Sequence, residues 1–271
     1  MLQEKYLETL RKFRLIDDAF FSACFDDNAK DVEYILRIIL EKDDLKVLEV
    51  QTQKSVENLY GRSVRFDVFA TDTKGKLYNI EVQRADSGAI PERARYNSVM
   101  LDYHELKKQE KFKELPESFV IFITEKDVIG DGEKIYHADR IIRETGKDFN
   151  DGTHIIYVNG SYKGEEGKPL DDLIHDFFCE NPQEMRHKQL ANRVSFLKGN
   201  KGEVGKMSSI ITEIFKDEIA EAREKTAEET KQNTLIENIR SLMKKLNLTA
   251  QQAMDILEVP ENEQSKYLAL I

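Results

Sequence analysis

Between Ser63 and Arg84 the chain alternates with a period of two, and no other stretch limits its possible folds as much. Val64, Phe66, Val68 and Ala70 are interleaved with Arg65, Asp67 and Phe69; Tyr78, Ile80 and Val82 are interleaved with Asn79, Glu81 and Gln83. Successive side chains of a strand point to opposite faces, so each run reads as a strand that turns one face to a core. Asp72-Thr73-Lys74-Gly75-Lys76 separates the runs and carries the glycine that such turns use. The pattern predicts an antiparallel hairpin.

The flanks suggest what the hairpin joins. Residues 18–42 read as helical, with Val32, Ile35, Leu36, Ile39 and Leu40 forming one apolar stripe. After the charged break Glu41-Lys42-Asp43-Asp44, residues 45–53 suit a short strand. A helix over 91–112 opens with Pro91 in its first turn. The unbroken run Phe119-Val120-Ile121-Phe122-Ile123-Thr124 suits a central strand buried on both faces, and His154 to Asn159 is a further strand. This order predicts an α/β fold with a mixed central sheet flanked by helices.

From about Leu170 the pattern is helical, and 205–246 reads as one long helix or two in series. Its segment from Glu218 to Thr234 carries only scattered alanines, as in a solvated helix held by charge pairs one turn apart. The division expected from this is a domain over 1–215 and a helical extension over 216–271. Within the extension, Thr249 and Gln252 match a capping box and open a short helix that runs toward Glu258 and Pro260.

Composition removes several function classes. With 51 acidic against 41 basic residues and 40% hydrophobic content, the chain has material for a full core and is not wholly disordered. No apolar run approaches the ~18 residues of a membrane span, and the first residues lack the apolar segment of a secretory signal. The two cysteines, Cys24 and Cys179, stand too isolated for a disulfide framework or a thiolate zinc site, so the cytoplasm is the expected compartment. A net charge of −10 opposes indiscriminate nucleic-acid binding but leaves room for a locally basic cleft.

The chemistry lies on the hairpin. Pairing Thr71 with Leu77 sets Asp67 opposite Glu81, and the period of two puts Gln83 on the face of Glu81. Like charges directly opposite repel, and one of them gains a raised pKa unless a cation intervenes. Oxygen-only ligands suit Mg²⁺ or Mn²⁺. The same alternation also describes acids that are merely solvated on an open face, and alternation alone does not separate the two readings.

A wider set of residues does. Gly61-Arg62-Ser63-Val64-Arg65-Phe66-Asp67-Val68, then Asp72 and Gly75, then Tyr78-Asn79-Ile80-Glu81-Val82-Gln83-Arg84 resemble the core of the PD-(D/E)XK nuclease superfamily. Joined by Asp18-Ala19-Phe20-Phe21, Arg93-Ala94-Arg95-Tyr96, Leu115-Pro116-Glu117, Asp151-Gly152-Thr153-His154, Met185 and Phe196-Leu197-Lys198, they resemble more narrowly the recombination-promoting nuclease and transposase family, over residues 15 to about 215.

The resemblance implies a metal-dependent DNA endonuclease that hydrolyses phosphodiester bonds. Asp67 and Glu81 would hold Mg²⁺ or Mn²⁺, and Gln83 would orient water or a backbone phosphate. Glu33 is a candidate for an additional acid. Gln83 stands where the superfamily usually has lysine, and an amide hydrogen-bonds without supplying a charge. The alternative is therefore a catalytically weak or inactive nuclease-fold protein that binds DNA.

Arg84, Arg93 and Arg95, with Lys107 and Lys108, are candidates for DNA-phosphate contacts, although an ordinary helix surface accounts for them equally well. The basic stretch from Arg186 to Lys206 reads rather as solvated surface. The extension is best read as a packing or oligomerisation element, with a homodimer as the assembly it would serve.

Overall fold

In the computed structural model, which describes residues 10–58, 61–84, 88–106, 109–199, 234–246, 248–257, 259–260, 264 and 267–268, helices α1 (Asp18–Phe25) and α2 (Ala29–Leu40) precede the first strands. Strands β1 (Val47–Val56), β2 (Val64–Asp72) and β3 (Leu77–Gln83) lead to helix α3 (Pro91–Glu105) and strand β4 (Ser118–Thr124). Then come β5 (Ile135–Ala138), β6 (Ile141–Ile142), β7 (Lys147–Asp148), β8 (Thr153–Asn159), α4 (Pro169–Phe177) and α5 (Lys188–Gly199). The chain divides into two compact units, Met1–Ile211 and Thr212–Ile271.

The first unit holds a six-stranded sheet in the order β1-β2-β3-β4-β8-β5. Strands β3, β4 and β8 are parallel, and the other pairs are antiparallel. Every residue of β4 is buried, as the unbroken apolar run requires for a strand covered on both sides. One face carries Val68, Ala70, Tyr78, Ile80, Val82, Ile121 and Val158, and its cluster takes in α1, α2, α4 and α5. The other face carries Phe69, Leu77, Val120, Phe122 and Tyr157, and packs against Ala94, Met100 and Leu101 of α3.

The hairpin is present with the expected pair Thr71↔Leu77. Asp72 organises its turn. One carboxylate oxygen accepts the N–H groups of Lys74 and Lys76 at 2.8 and 2.9 Å, and the other accepts the Tyr78 hydroxyl at 2.9 Å. Gly75 closes the turn at φ +78°, a left-handed position that a Cβ would strain.

Several expectations need correction. The helix expected over 18–42 is two helices. Asp27 turns left-handed at φ 48°, and the Asn28 side chain accepts the N–H of Asp31, so a local cap competes successfully with helix continuation. In the stripe, Val32, Ile35, Leu36 and Ile39 are buried, while Leu40 is half-buried where Glu41 ends the helix at φ 53°.

The short strand expected over 45–53 runs from Val47 to Val56 because it pairs along the length of β2. The helix expected over 91–112 ends at Glu105, and a 3₁₀ turn follows at Phe112–Glu114. Strand β5 and the exposed ribbon β6–β7 have no counterpart in the sequence reading.

Of the helix expected over 205–246, residues 234–246 are helical and the rest lies outside the described residues, as do Lys107, Lys108, Lys201 and Lys206. In the second unit, α6 (Ala250–Ile256) begins at the expected box. Thr249 accepts the N–H of Gln252, and the Gln252 side chain accepts the N–H of Thr249. Ile239, Ala253, Met254, Val259 and Tyr267 form its small core.

Candidate metal centre

Strands β2 and β3 stay paired from Thr71↔Leu77 to Val68↔Ile80, and the ladder stops one pair short of Asp67 and Glu81. There the Asp67 carboxylate replaces the ladder and accepts the N–H of Val82 at 3.1 Å. Both acids are buried, Glu81 completely.

Their electrostatics follow from that position. Burial raises the pKa of Asp67 well above the usual carboxylate range, and the charges of Glu81 and Asp18 add to it. Burial raises Glu81 too; the guanidinium of Arg93 opposes this, and Asp18 reinforces it. Arg93 donates to Glu81 Oε2 at 2.9 Å, whereas Glu81 Oε1 is buried with no hydrogen-bond partner. The Asn79 side chain, next inward on the same strand, and the backbone N–H of Asp67 both lie close enough to Glu81 to favour its charged form.

Asp18 is the acid that the sequence reading did not single out. It is exposed at the start of α1, and its Oδ1 accepts the Gln53 side chain at 3.2 Å. Gln53 sits in β1 between the pairs Thr52↔Val68 and Lys54↔Phe66, which puts it beside Asp67. It adopts φ 51°, costly for a non-glycine strand residue, and its amide reaches both Asp18 and the Ser22 hydroxyl. The sequence signal available for Asp18 was its place in the Asp18-Ala19-Phe20-Phe21 segment.

The other candidates separate clearly. Glu33 stands apart from this cluster: it accepts the N–H of Val47 at 3.0 Å and pairs with Arg37 at 2.8 Å, tying α2 to the start of β1. Gln83 sits at the open end of β3, with its amide oxygen against Gly88, where a Cβ would come within 1.9 Å of it. Arg84 is exposed and bridges Asp17 and Glu125 at 3.0 and 3.2 Å. Arg93 turns inward onto Glu81, and Arg95 is exposed on the same helix.

A second group of candidate ligands, His175, Asp176 and Cys179, has ligand atoms within 4.8 Å of one another. Both oxygens of Asp176 already accept hydrogen bonds, from the backbone N–H groups of Arg186 and His187 and from the rings of His175 and His187. Burial pushes the Cys179 thiol up to about 11, so it is not a ready thiolate. That group holds the chain together, and both Asp176 oxygens are already occupied by N–H donors.

The Asp67–Glu81 cluster fits a hard divalent cation better. Its donors are all oxygen, and one buried carboxylate oxygen lacks a partner.

A mixed sheet layered with helices, with two buried acids at the splayed end of an antiparallel hairpin, defines a nuclease-like α/β protein. Sequence comparison goes further: the model of the PD-(D/E)XK nuclease family transposase matches residues 32–229, well over half the chain, and the chain belongs to that family. Comparison with curated proteins and with solved structures gave no match. Among the described residues no helix is long and apolar enough to cross a membrane.

Proposed function

We propose that this chain is a divalent-metal-dependent DNA endonuclease that hydrolyses phosphodiester bonds, with Asp67 and Glu81 as metal ligands. The supporting observation is Glu81 Oε1, a buried carboxylate oxygen without a partner beside a second buried acid. A group in that state costs stability unless a ligand completes it. Mg²⁺ or Mn²⁺ held there would polarise a phosphate oxygen and lower the pKa of a bound water.

The residues of the chain do the rest. Asp18, held by Gln53, adds negative charge beside the pair. Gln83 orients water or a phosphate at the mouth of the site, and exposed Arg95 contacts the DNA backbone. None of the residues assigned to this site lies in the extension over 216–271, and its removal is expected to leave a folded nuclease domain.

Gln83 supports a second reading, a nuclease fold that binds DNA and cleaves weakly or not at all, because it supplies no cation where the superfamily usually has lysine. Purified protein with supercoiled plasmid and Mg²⁺ separates the two. Nicking that EDTA abolishes supports the endonuclease; binding without nicking supports the alternative.

A further inference from the structure

Arg93 is held at three points. One terminal nitrogen donates to Glu81 Oε2 at 2.9 Å, the other donates to the carbonyl of Gly88 at 2.8 Å, and the guanidinium carbon lies 5.9 Å from the centre of the Phe122 ring. A guanidinium is a rigid fork, so two bonds in its plane and a ring near its face fix both position and orientation. A side chain fixed in this way is not a free hand for gripping phosphate.

The consequence falls on Glu81. A carboxylate has two oxygens, and here they have different fates: Oε2 is clamped by Arg93, and Oε1 is buried and unpartnered. A cation that uses Oε1 need not displace the arginine. The charges also agree, because ionised Asp67 and Glu81 beside one guanidinium leave a net negative charge for the cation.

We propose that Arg93 is the positioning residue for the metal ligand Glu81, clamping Oε2 so that Oε1 is presented to the cation. The inference rests on the reading of Asp67 and Glu81 as ligands. The opposite arrangement, in which the guanidinium occupies the cation's place and must leave first, predicts the opposite sign on removing it.

The test is Mn²⁺ affinity, measured by titration calorimetry on the full chain for wild type, Arg93→Gln, Arg93→Lys and Asp67→Asn, with circular dichroism to verify folding. Arg93→Gln is expected to weaken Mn²⁺ binding at least tenfold, and Arg93→Lys, which keeps the charge but not the fork, about threefold. Mn²⁺ binding to Arg93→Gln as tight as wild type, or tighter, overturns the proposal. If Arg93→Gln does not fold, Arg93→Lys decides: unchanged or tighter binding overturns the proposal, and weaker binding supports it.

Failure of the underlying reading looks different. In that case wild type and Asp67→Asn both bind Mn²⁺ negligibly, and the role of Arg93 falls with it. If wild type binds, Asp67→Asn does not, and Arg93→Gln matches wild type, only the inference about Arg93 fails.

Discussion

Glu81 and Asp176 are both completely buried carboxylates, and the chain treats them in opposite ways. Asp176 collects backbone N–H bonds from Arg186 and His187 at 2.7 and 2.8 Å, and ring contacts from His187 and His175 at 3.0 and 3.2 Å. Burial alone would raise its pKa, but those bonds outweigh burial and hold it below the usual range. Glu81 has one arginine and a buried oxygen that makes no well-formed hydrogen bond; Arg93, Asn79 and the Asp67 N–H do not offset burial, and its pKa moves up. A saturated acid is architecture: it staples the turn after α4 to the start of α5. An acid left incomplete at the same depth costs the fold stability, and a ligand is the physical reason to keep it.

The contrast breaks most readily in activity. Glu81→Gln should reduce Mg²⁺-dependent plasmid nicking by about a hundredfold or more, since a charged ligand becomes a neutral amide. Its melting temperature in EDTA should not fall. A variant that nicks at the wild-type rate would remove Glu81 from the chemistry.

Asp176→Asn should act on stability instead. Replacing an acceptor that serves four donors is expected to cost about 3 kcal/mol, and to lower the melting temperature by roughly 6–12 °C. Activity per folded molecule should stay at the wild-type level. A melt unchanged from wild type would put Asp176 in the same class as Glu81.

A smaller effect carries the sign of the raised pKa values. Asp67 is raised in the folded state, so its contribution favours folding at low pH and is lost as pH climbs through the folded value. Without metal, the melting temperature of Asp67→Asn should exceed that of wild type by an amount that grows from mildly acidic to mildly alkaline pH. The gap should be on the order of 2–4 °C for each kcal/mol involved. Saturating Mn²⁺ should close or reverse it. A gap that shrinks with rising pH in EDTA would contradict the burial argument.

The smallest effect belongs to Glu33→Gln. Its ion pair with Arg37 is partly solvated, so the loss should stay below about 1 kcal/mol, with nicking unaltered. A large loss of nicking would return Glu33 to the site.

The parts of the fold that were legible in the sequence are those governed by local periodicity. The hairpin follows from the period of two and the Asp72–Gly75 turn, β4 from an unbroken apolar run, and α6 from its capping box. The break at Asp27 and Asn28 was missed because it lies ahead of the apolar stripe, which begins at Val32 and is left intact by it. The ribbon β6–β7 pairs only Ile141↔Asp148 and Ile142↔Lys147, too few residues to show a period.

Of the candidate site, the sequence showed only what one hairpin carries: the pair Thr71↔Leu77, from which Asp67 is expected opposite Glu81. Asp18 is tied to a left-handed Gln53 of β1 and acts on the pair through its charge, and no spacing encodes that. Glu33 was the early-helix acid taken as a candidate, and its direction toward Arg37 and Val47 was not visible in its spacing. Arg93 was read as facing outward, while the turn of α3 aims it at Glu81.

The arrangement of β3 between an antiparallel and a parallel neighbour has a consequence for the order in which the chain assembles. Closing β2 on β3 spans a short turn and proceeds on the order of microseconds, whereas the β3–β4 pairing must wait for the crossover through α3. On this order Asp67 and Glu81 meet early, in a two-stranded ribbon open to water, where their repulsion is screened. Glu81 gains its counter-charge only when α3 docks, because α3 carries Arg93. The step that brings α3 onto the sheet is thus also the step that supplies the guanidinium to Glu81.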